Sequence, residues 1–433
     1  MPAQPNAVPT TVAPGSRTAV GSDPPALRSQ PDFLKLWGSE TVSMFGTAIT
    51  TLALPLTAIT LLDATPAQMG MLGAAQFLPF LLLSLPLGVW VDRRARRPLM
   101  ILANVGRAAL LAMIPLAAAA GWLRMDTLYP VALIAGTLDV LFHLSYSAYL
   151  PGLVGTARLV QGNSSLQASA SVAEIAGPGL AGVLIGWLGA PGALLLDAGS
   201  YVLSALGISS IRHRELPPAR AERPVHLLTE VREGLGLVFR HPMLRAMVIE
   251  AAIFNGAMQA LGTLFVLYAT RDLHLSPAQI GLIFGAGGVG ALLGSVFAGP
   301  LARRVGFGRA LVLAAALACV APLLVPAIHG TPAITVPLLM LAYALEGVGV
   351  AASSIHHLSL RQALTPPELL GRMSASYRTV TYGVLPLGAL LFGVLGQHVG
   401  LNAALWVGTA VTATGWLGVR FSPVWPLRQL PEG

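Results

Sequence analysis

Cysteine is almost missing from this sequence. Cys319 stands alone inside an apolar run, which excludes an intramolecular disulfide and any CxxC or zinc pattern, and reads as a small core residue. Charge is scarce too, at 10% of residues. No GxxxxGK[ST] occurs, so ATP is not the expected energy source. No Ser/His/Asp or Cys/His spacing argues for an enzyme. The adjacent pair His356-His357 makes a poor chelate, because neighbours on a helix point about 100° apart. No metal and no cofactor are expected. Residues 1–30 carry six prolines among Ala, Ser and Thr and lack the apolar core of a secretory signal, which reads as a disordered tail.

Apolar residues fill the rest. They make up 55% of the chain and raise the mean hydropathy to +0.71. A membrane-crossing helix needs roughly 20 apolar residues for a ~30 Å hydrocarbon core, and many runs reach that length. The expected fold is all-α integral membrane, with twelve transmembrane helices near 33–62, 67–91, 99–121, 128–150, 163–188, 191–211, 243–270, 278–302, 308–328, 333–357, 372–397 and 401–421. The expected domains are a tail at 1–32, a six-helix bundle at 33–211, a linker at 212–242, a second six-helix bundle at 243–421 and a tail at 422–433. The linker is the one long polar stretch after the first tail, and 226–239 within it suits a short surface helix. With the first tail cytoplasmic, only Arg124 and Arg271 of the 26 Lys+Arg residues fall at the outer face. Basic residues favour the cytoplasmic side, so both termini are placed inside a cell membrane. The net charge of +8 then reflects topology, and no nucleic-acid partner is expected.

One polar stretch interrupts the apolar pattern: Gly88, then Asp92, Arg93, Arg94, Arg96 and Arg97 before Pro98. It joins the second and third helices at the inner face. Pro66-Ala67-Gln68-Met69-Gly70 recurs as Pro277-Ala278-Gln279-Ile280-Gly281, an offset of 277 − 66 = 211. The same offset carries Gly88 onto Gly299 and Arg93 onto Arg304, so the loop has a twin. An even number of helices separates the copies, which makes them parallel repeats, a feature of secondary transporters.

With these residues in place, the chain resembles the major facilitator superfamily. Its signature between helices two and three, approximately G-x-L-A-D-R-x-G-R-[KR], is met by Gly88, Asp92, Arg93, Arg96 and Arg97, with Ala95 where glycine is usual. The twin keeps Gly299 and Arg304 but has Arg303 in place of the acid. Gly177, Pro178 and Gly182 resemble the G-P-x-x-x-G element of the superfamily's proton-coupled exporters. Phe33, Lys35, Trp37 and Gly38, with Pro55 and Pro151, resemble the branch of enterobactin exporters and macrolide efflux pumps. The resemblance implies a conformational latch at Gly88, Asp92, Arg93, Arg96, Arg97, Gly299 and Arg304. A plain topogenic charge cluster is the competing reading. It also implies a hinge or seal at Gly177, Pro178 and Gly182, against ordinary glycine-mediated packing.

Ionisable groups inside spans are functional candidates by default. Asp139 lies about eleven residues into the fourth helix, roughly 16 Å deep, with His143 one turn on. Glu174 and Glu346 are similarly deep, and Glu40 and Glu250 lie about two turns in. Asp139, Glu174, Glu346 and Glu40 are the proton-coupling candidates; structural pairing with an arginine such as Arg107 is the alternative for each. Asp197, close to a helix end, is expected to reach water. Gln76, Phe77, Tyr146, Asn255 and Gln259 are candidates for a substrate cavity, or for interhelical hydrogen bonds. No basic cluster is placed at the midplane, which argues against strongly anionic solutes. The expectation is proton-coupled efflux of an amphipathic small molecule by a monomer among membrane lipids. A proton-coupled importer of the same fold and a non-transporting membrane receptor are the alternatives.

Overall fold

A computed structural model describes residue 27 and residues 30–155, 158–213, 215, 227–366 and 369–431. Most of the expected first tail, and residues 216–226 of the expected linker, lie outside the described residues. Helices in chain order are α1 (Pro31–Leu62), α2 (Pro66–Asp92), α3 (Arg96–Ala119), α4 (Met125–Val154), α5 (Leu159–Ser209), α6 (Leu227–Arg240), α7 (Pro242–Arg271), α8 (Pro277–Val305), α9 (Phe307–Val320), α10 (Leu324–Ala327), α11 (Pro332–Ala363), α12 (Leu370–Gly383), α13 (Leu385–Val399) and α14 (Leu401–Arg420). A 3-10 turn at Ala321–Leu323 joins α9 to α10. Among the described residues, ten helical segments are long and apolar enough to cross a membrane. Leu116, Leu292, Phe297 and Leu391 are exposed on their outer faces, which suits contact with lipid tails.

The recurring Pro-Ala-Gln is a helix start. Thr65 and Ser276 each cap a helix, with Pro66 and Pro277 at the first helical positions. Thr65 Oγ1 accepts from Gln68 N at 3.3 Å, and Gln68 Oε1 accepts from Thr65 N at 2.9 Å. Ser276 and Gln279 repeat this reciprocal capping at 3.3 and 2.8 Å.

α5 is two helical limbs that meet at Gly189, whose φ 73° and ψ 161° are a conformation suited to glycine. The helix doubles back there. Trp37 Nε1, near the start of α1, donates to Ser165 O at 3.1 Å, and Lys35 Nζ donates to Ser210 O at 2.7 Å. Both ends of α5 therefore lie at the same end of α1. The stretch expected as one helix over 372–397 is broken at Val384 into α12 and α13. Pro386 supplies the reason, because it cannot donate to the preceding turn.

α1–α5 pack mainly on one another, and α7–α14 do the same; α6 lies on α12. The two groups meet where α5 touches α8 and where α2 touches α13. The end that carries Pro66 and Pro277 is called the proline end below, and the end with Arg93–Arg97 the arginine end. A Cβ on Gly281 would lie 2.3 Å from the Pro178 carbonyl oxygen, and one on Gly182 would lie 2.5 Å from that of Pro277. Only glycine admits such an approach. Asp63 and Arg271 pair across the same end.

At the arginine end the repeat governs helix starts. The Arg96 and Arg97 amides, opening α3, donate to the Glu215 carboxylate at 2.7 and 2.6 Å. Their counterparts 211 residues on, the Phe307 and Gly308 amides, donate to the carbonyls of Arg428 and Leu427 at 3.1 and 2.8 Å. Each half thus closes a helix N-terminus with chain that follows its own last long helix. The stretch expected as a simple tail, 422–433, is anchored up to this point, with Val424 fully buried.

Candidate functional site

Each group of helices encloses a cavity, and a third cavity bridges the two. A cavity of about 340 Å³ lies among α1, α2, α3, α4 and α5, lined by Glu40, Thr47, Phe80, Arg107, Asp139, His143 and Glu174 among others. A second of about 360 Å³ lies among α7, α9, α11 and α12, and includes Glu250, Asn255, Ser353, His357, Arg361 and Arg378. A third of about 250 Å³ bridges them. It shares Phe80 and His143 with the first cavity and Arg378 and Tyr382 with the second. A side pocket of about 120 Å³ adds Gln76 and Phe77 and again reaches Arg107 and Asp139.

Arg107 organises the first cavity. Its side chain is almost fully buried, yet it meets Asp139 Oδ1 at 2.7 Å, and Asp139 is half-exposed to the cavity. Phe142 and Tyr201 lie against its guanidinium, 4.6 and 4.2 Å from ring centroid to Cζ. Asn104 accepts a further hydrogen bond from it and donates to Ser204 Oγ at 2.9 Å. Glu40 lines the same cavity, and its Oε2 is buried without a hydrogen-bond partner. Glu174 is exposed on the cavity wall.

The structure thus brings together three of the four acids singled out in the sequence, with the arginine proposed as a structural partner bonded to one of them. Glu346 lines none of these four cavities. Asp197 does not reach water: it is fully buried and accepts from Thr50 and from Ser200 Oγ, the latter at 2.9 Å. Gln76, Phe77 and Asn255 line cavities, and Asn255 also donates to Thr381 O at 3.1 Å. Gln259 lies beside Gly73 of α2 and reaches Thr263 Oγ1 at 3.5 Å, an interhelical position outside these four cavities. Tyr146 stacks on Phe142 at 6.2 Å, behind the cavity wall.

Arg107, Arg361 and Arg378 all face the cavities, so basic side chains line the interior although the sequence places no basic cluster at the midplane. The sequence counts Arg361 and Arg378 only among the cytoplasmic-side charges; in the structure Arg361 lies in the last turn of α11 and Arg378 two turns into α12, and both face a cavity. The Glu250–His357 pair was also missed. His357 Nε2 lies 3.7 Å from Glu250 Oε2, both side chains are buried, and Cys319 Sγ is 4.0 Å from Glu250 Oε1. Both residues had attracted notice singly, and only the fold could pair α7 with α11.

The loop at Gly88–Arg97 is exposed at Asp92, Arg93 and Arg94, as are Arg303 and Arg304 of its twin. Glu215, not Asp92, occupies the N-terminus of α3. Arg97 donates to the carbonyls of Ile208 and Ser209 at the end of α5, the former at 3.1 Å, tying the loop within the first group of helices. In α5, Pro178 remains helical and the break falls at Gly189; Gly182 and the Pro178 carbonyl form the tight contact with α8, while Gly177 packs on Ala48 of α1.

Residues 24–427 match the family described as "Transmembrane secretion effector". The multidrug efflux pump Tap of Mycobacterium tuberculosis is 26% identical over 385 residues, covering 86% of this chain and 88% of that protein. The enterobactin exporter EntS of Citrobacter koseri is 27% identical over 251 residues, 58% of each chain. Among solved structures, the nucleoside transporter NupG aligns with a TM-score of 0.72 at 13% identity, covering 90% of this chain and 98% of that one. A bacterial homologue of the iron transporter ferroportin in its inward-facing state aligns with a TM-score of 0.72 at 18% identity, covering 90% and 97%. At such identities the two structures speak to the fold alone. The relatives and the neighbours are transporters, not enzymes. The chain belongs to the transmembrane secretion effector family and is a multi-pass membrane transporter of the major facilitator type.

Proposed function

We propose that this protein exports an amphipathic small molecule across the cell membrane by alternating access, in exchange for protons. The single observation that carries the reading is the first cavity, which Glu40, Asp139 and Glu174 line together with Arg107. An arginine that binds a carboxylate in one state can release it to a proton or to cargo in another. In this reading twelve spans form two six-helix halves, 33–211 and 243–421, with the linker and both termini cytoplasmic, and the protein works as a monomer. The two limbs of α5 count as spans five and six, and α14 as the twelfth. The proline end is the outer face, sealed here by α5 against α8. The arginine end is the inner face, where Asp92 and Arg93 and the twin at Gly299 and Arg304 engage only when that side closes. The export activities named for the relatives Tap and EntS support the direction.

Everted membrane vesicles test this. With an inside-acid gradient, vesicles carrying the protein are expected to accumulate members of a panel of lipophilic antibiotics, and Asp139→Asn is expected to remove the proton-dependent part. Proton-driven accumulation in intact cells instead would reverse the direction and establish an importer.

A further inference from the structure

The arginines of the two cavity walls are not equivalent. Arg107 has a counter-charge: Asp139 and Asn104 accept from it and two aromatic rings cover its faces, although its Nε is buried without a hydrogen bond. Arg361 and Arg378, in the wall built by α11 and α12, have no carboxylate partner among the described residues. The acid of that wall, Glu250, is turned to His357 and Cys319. The Arg361 guanidinium lies 3.9 Å from the Tyr377 ring centroid, and its Nε, like that of Arg107, is buried without a hydrogen bond. Arg378 is exposed where the second cavity meets the bridging one. Its Cζ lies 5.8 Å from the Tyr382 ring centroid, and Tyr382 in turn stacks on Phe80 of α2 at 5.9 Å.

Stacking on a ring satisfies the face of a guanidinium and leaves its N–H edge unanswered. A cation held inside a membrane protein without a counter-charge is costly, and an arginine edge matches the geometry of a planar oxyanion. Ser353, Ser354 and Asn255 add neutral polar groups beside the two arginines, and Phe80, Tyr382 and Phe254 supply aromatic surface. The opposite wall, with three acids to one arginine, would repel the same anion and so fixes which way round a ligand enters.

We infer that this wall is an oxyanion subsite: Arg378 and Arg361 hold a carboxylate on the transported molecule, whose aromatic body lies along Tyr382 and Phe80. The inference rests on the export reading for treating that molecule as cargo. Cargo of this kind carries one acidic group on an otherwise apolar, aromatic frame.

The experiment uses the full-length protein, purified in an uncharged detergent, and two fluorescent probes: a naphthalene carboxylate bearing a short alkyl chain, and its carboxamide. The carboxylate is expected to bind more tightly. Arg378→Gln is expected to weaken carboxylate binding by about tenfold or more, the scale of one lost hydrogen bond to a charged group, and to leave the carboxamide unchanged. Arg361→Gln should act in the same direction, and Arg378→Lys should restore part of the preference. Absence of a carboxylate preference, whether from equal binding or from none, overturns the subsite. So does an equal loss of both probes, which marks a structural role. Binding needs no gradient, so the two readings separate. A preference that persists when everted vesicles transport nothing removes export and leaves the subsite. Transport of lipophilic antibiotics without any preference does the reverse.

Discussion

Arg107 shows how a charged side chain is kept inside an apolar bundle. Its stem and faces are packed by Phe142 and Tyr201, and its edge is met by Asp139 and Asn104. Removing it deletes stacking and leaves Asn104 short of a partner, whereas Asp139 is half-exposed to the cavity and can hydrate. Arg107→Ala is therefore expected to lower the thermal midpoint of the purified protein clearly, by about 2 kcal/mol or more of stability. Asp139→Asn keeps an acceptor for Arg107 but removes its counter-charge, so it should lower that midpoint by less than Arg107→Ala while altering transport. Equal destabilisation by both would show that the pair is purely structural. Asp139 and Glu174 stood out in the sequence because an acid in an apolar run announces itself, and both line one cavity. Arg361 and Arg378 did not, because an arginine near a helix end looks like a topology signal until the neighbouring helices show which way it faces.

Helix boundaries were legible wherever proline or glycine marks a change of direction. Pro66 and Pro277 open helices with capping boxes, and Gly189 turns the chain back. The interruption at Val384 was passed over although Pro386 was in view, since a run of apolar residues reads as one helix at the level of hydropathy. The α5–α8 contact is sharper than sequence reasoning made it. The stretch Gly177–Gly182, expected as a hinge or a seal, is a place of close approach, with the Pro178 carbonyl over Gly281. A side chain at Gly281 would force the two helices apart at the proline end. Gly281→Val is expected to fold, to lose transport by more than tenfold, and to make cysteines introduced beside Pro178 reactive to a membrane-impermeant thiol reagent, since prising this contact apart removes several close packing contacts. Unchanged transport and no new reactivity would mean that this contact is no seal.

The whole molecule is a duplication whose halves have kept their scaffolding and changed their chemistry. The 211-residue offset relates the capping boxes of α2 and α8 and the capped starts of α3 and α9. The cavities do not follow it: the Arg107–Asp139 pair of the first half has no equivalent pair in the second, where position 318 is alanine and 350 is valine. Two halves that meet tightly at the proline end and expose the twin arginine loops at the other have the geometry of one state in a two-state cycle. The loop signature identified the family from eleven residues, yet its proposed partner across the halves is not engaged here, so its role depends on a second conformation.

That second conformation is the measurement to make. Spin labels at Arg94→Cys and Arg303→Cys report the arginine end, and labels at Trp122→Cys and Thr331→Cys report the proline end, each pair in a Cys319→Ser background. As pH is lowered or transported antibiotic is added in liposomes, pulsed-dipolar distances should shorten at the arginine end while they lengthen at the proline end. Distances that stay fixed at both ends, or that change together in one direction, would contradict alternating access by this protein.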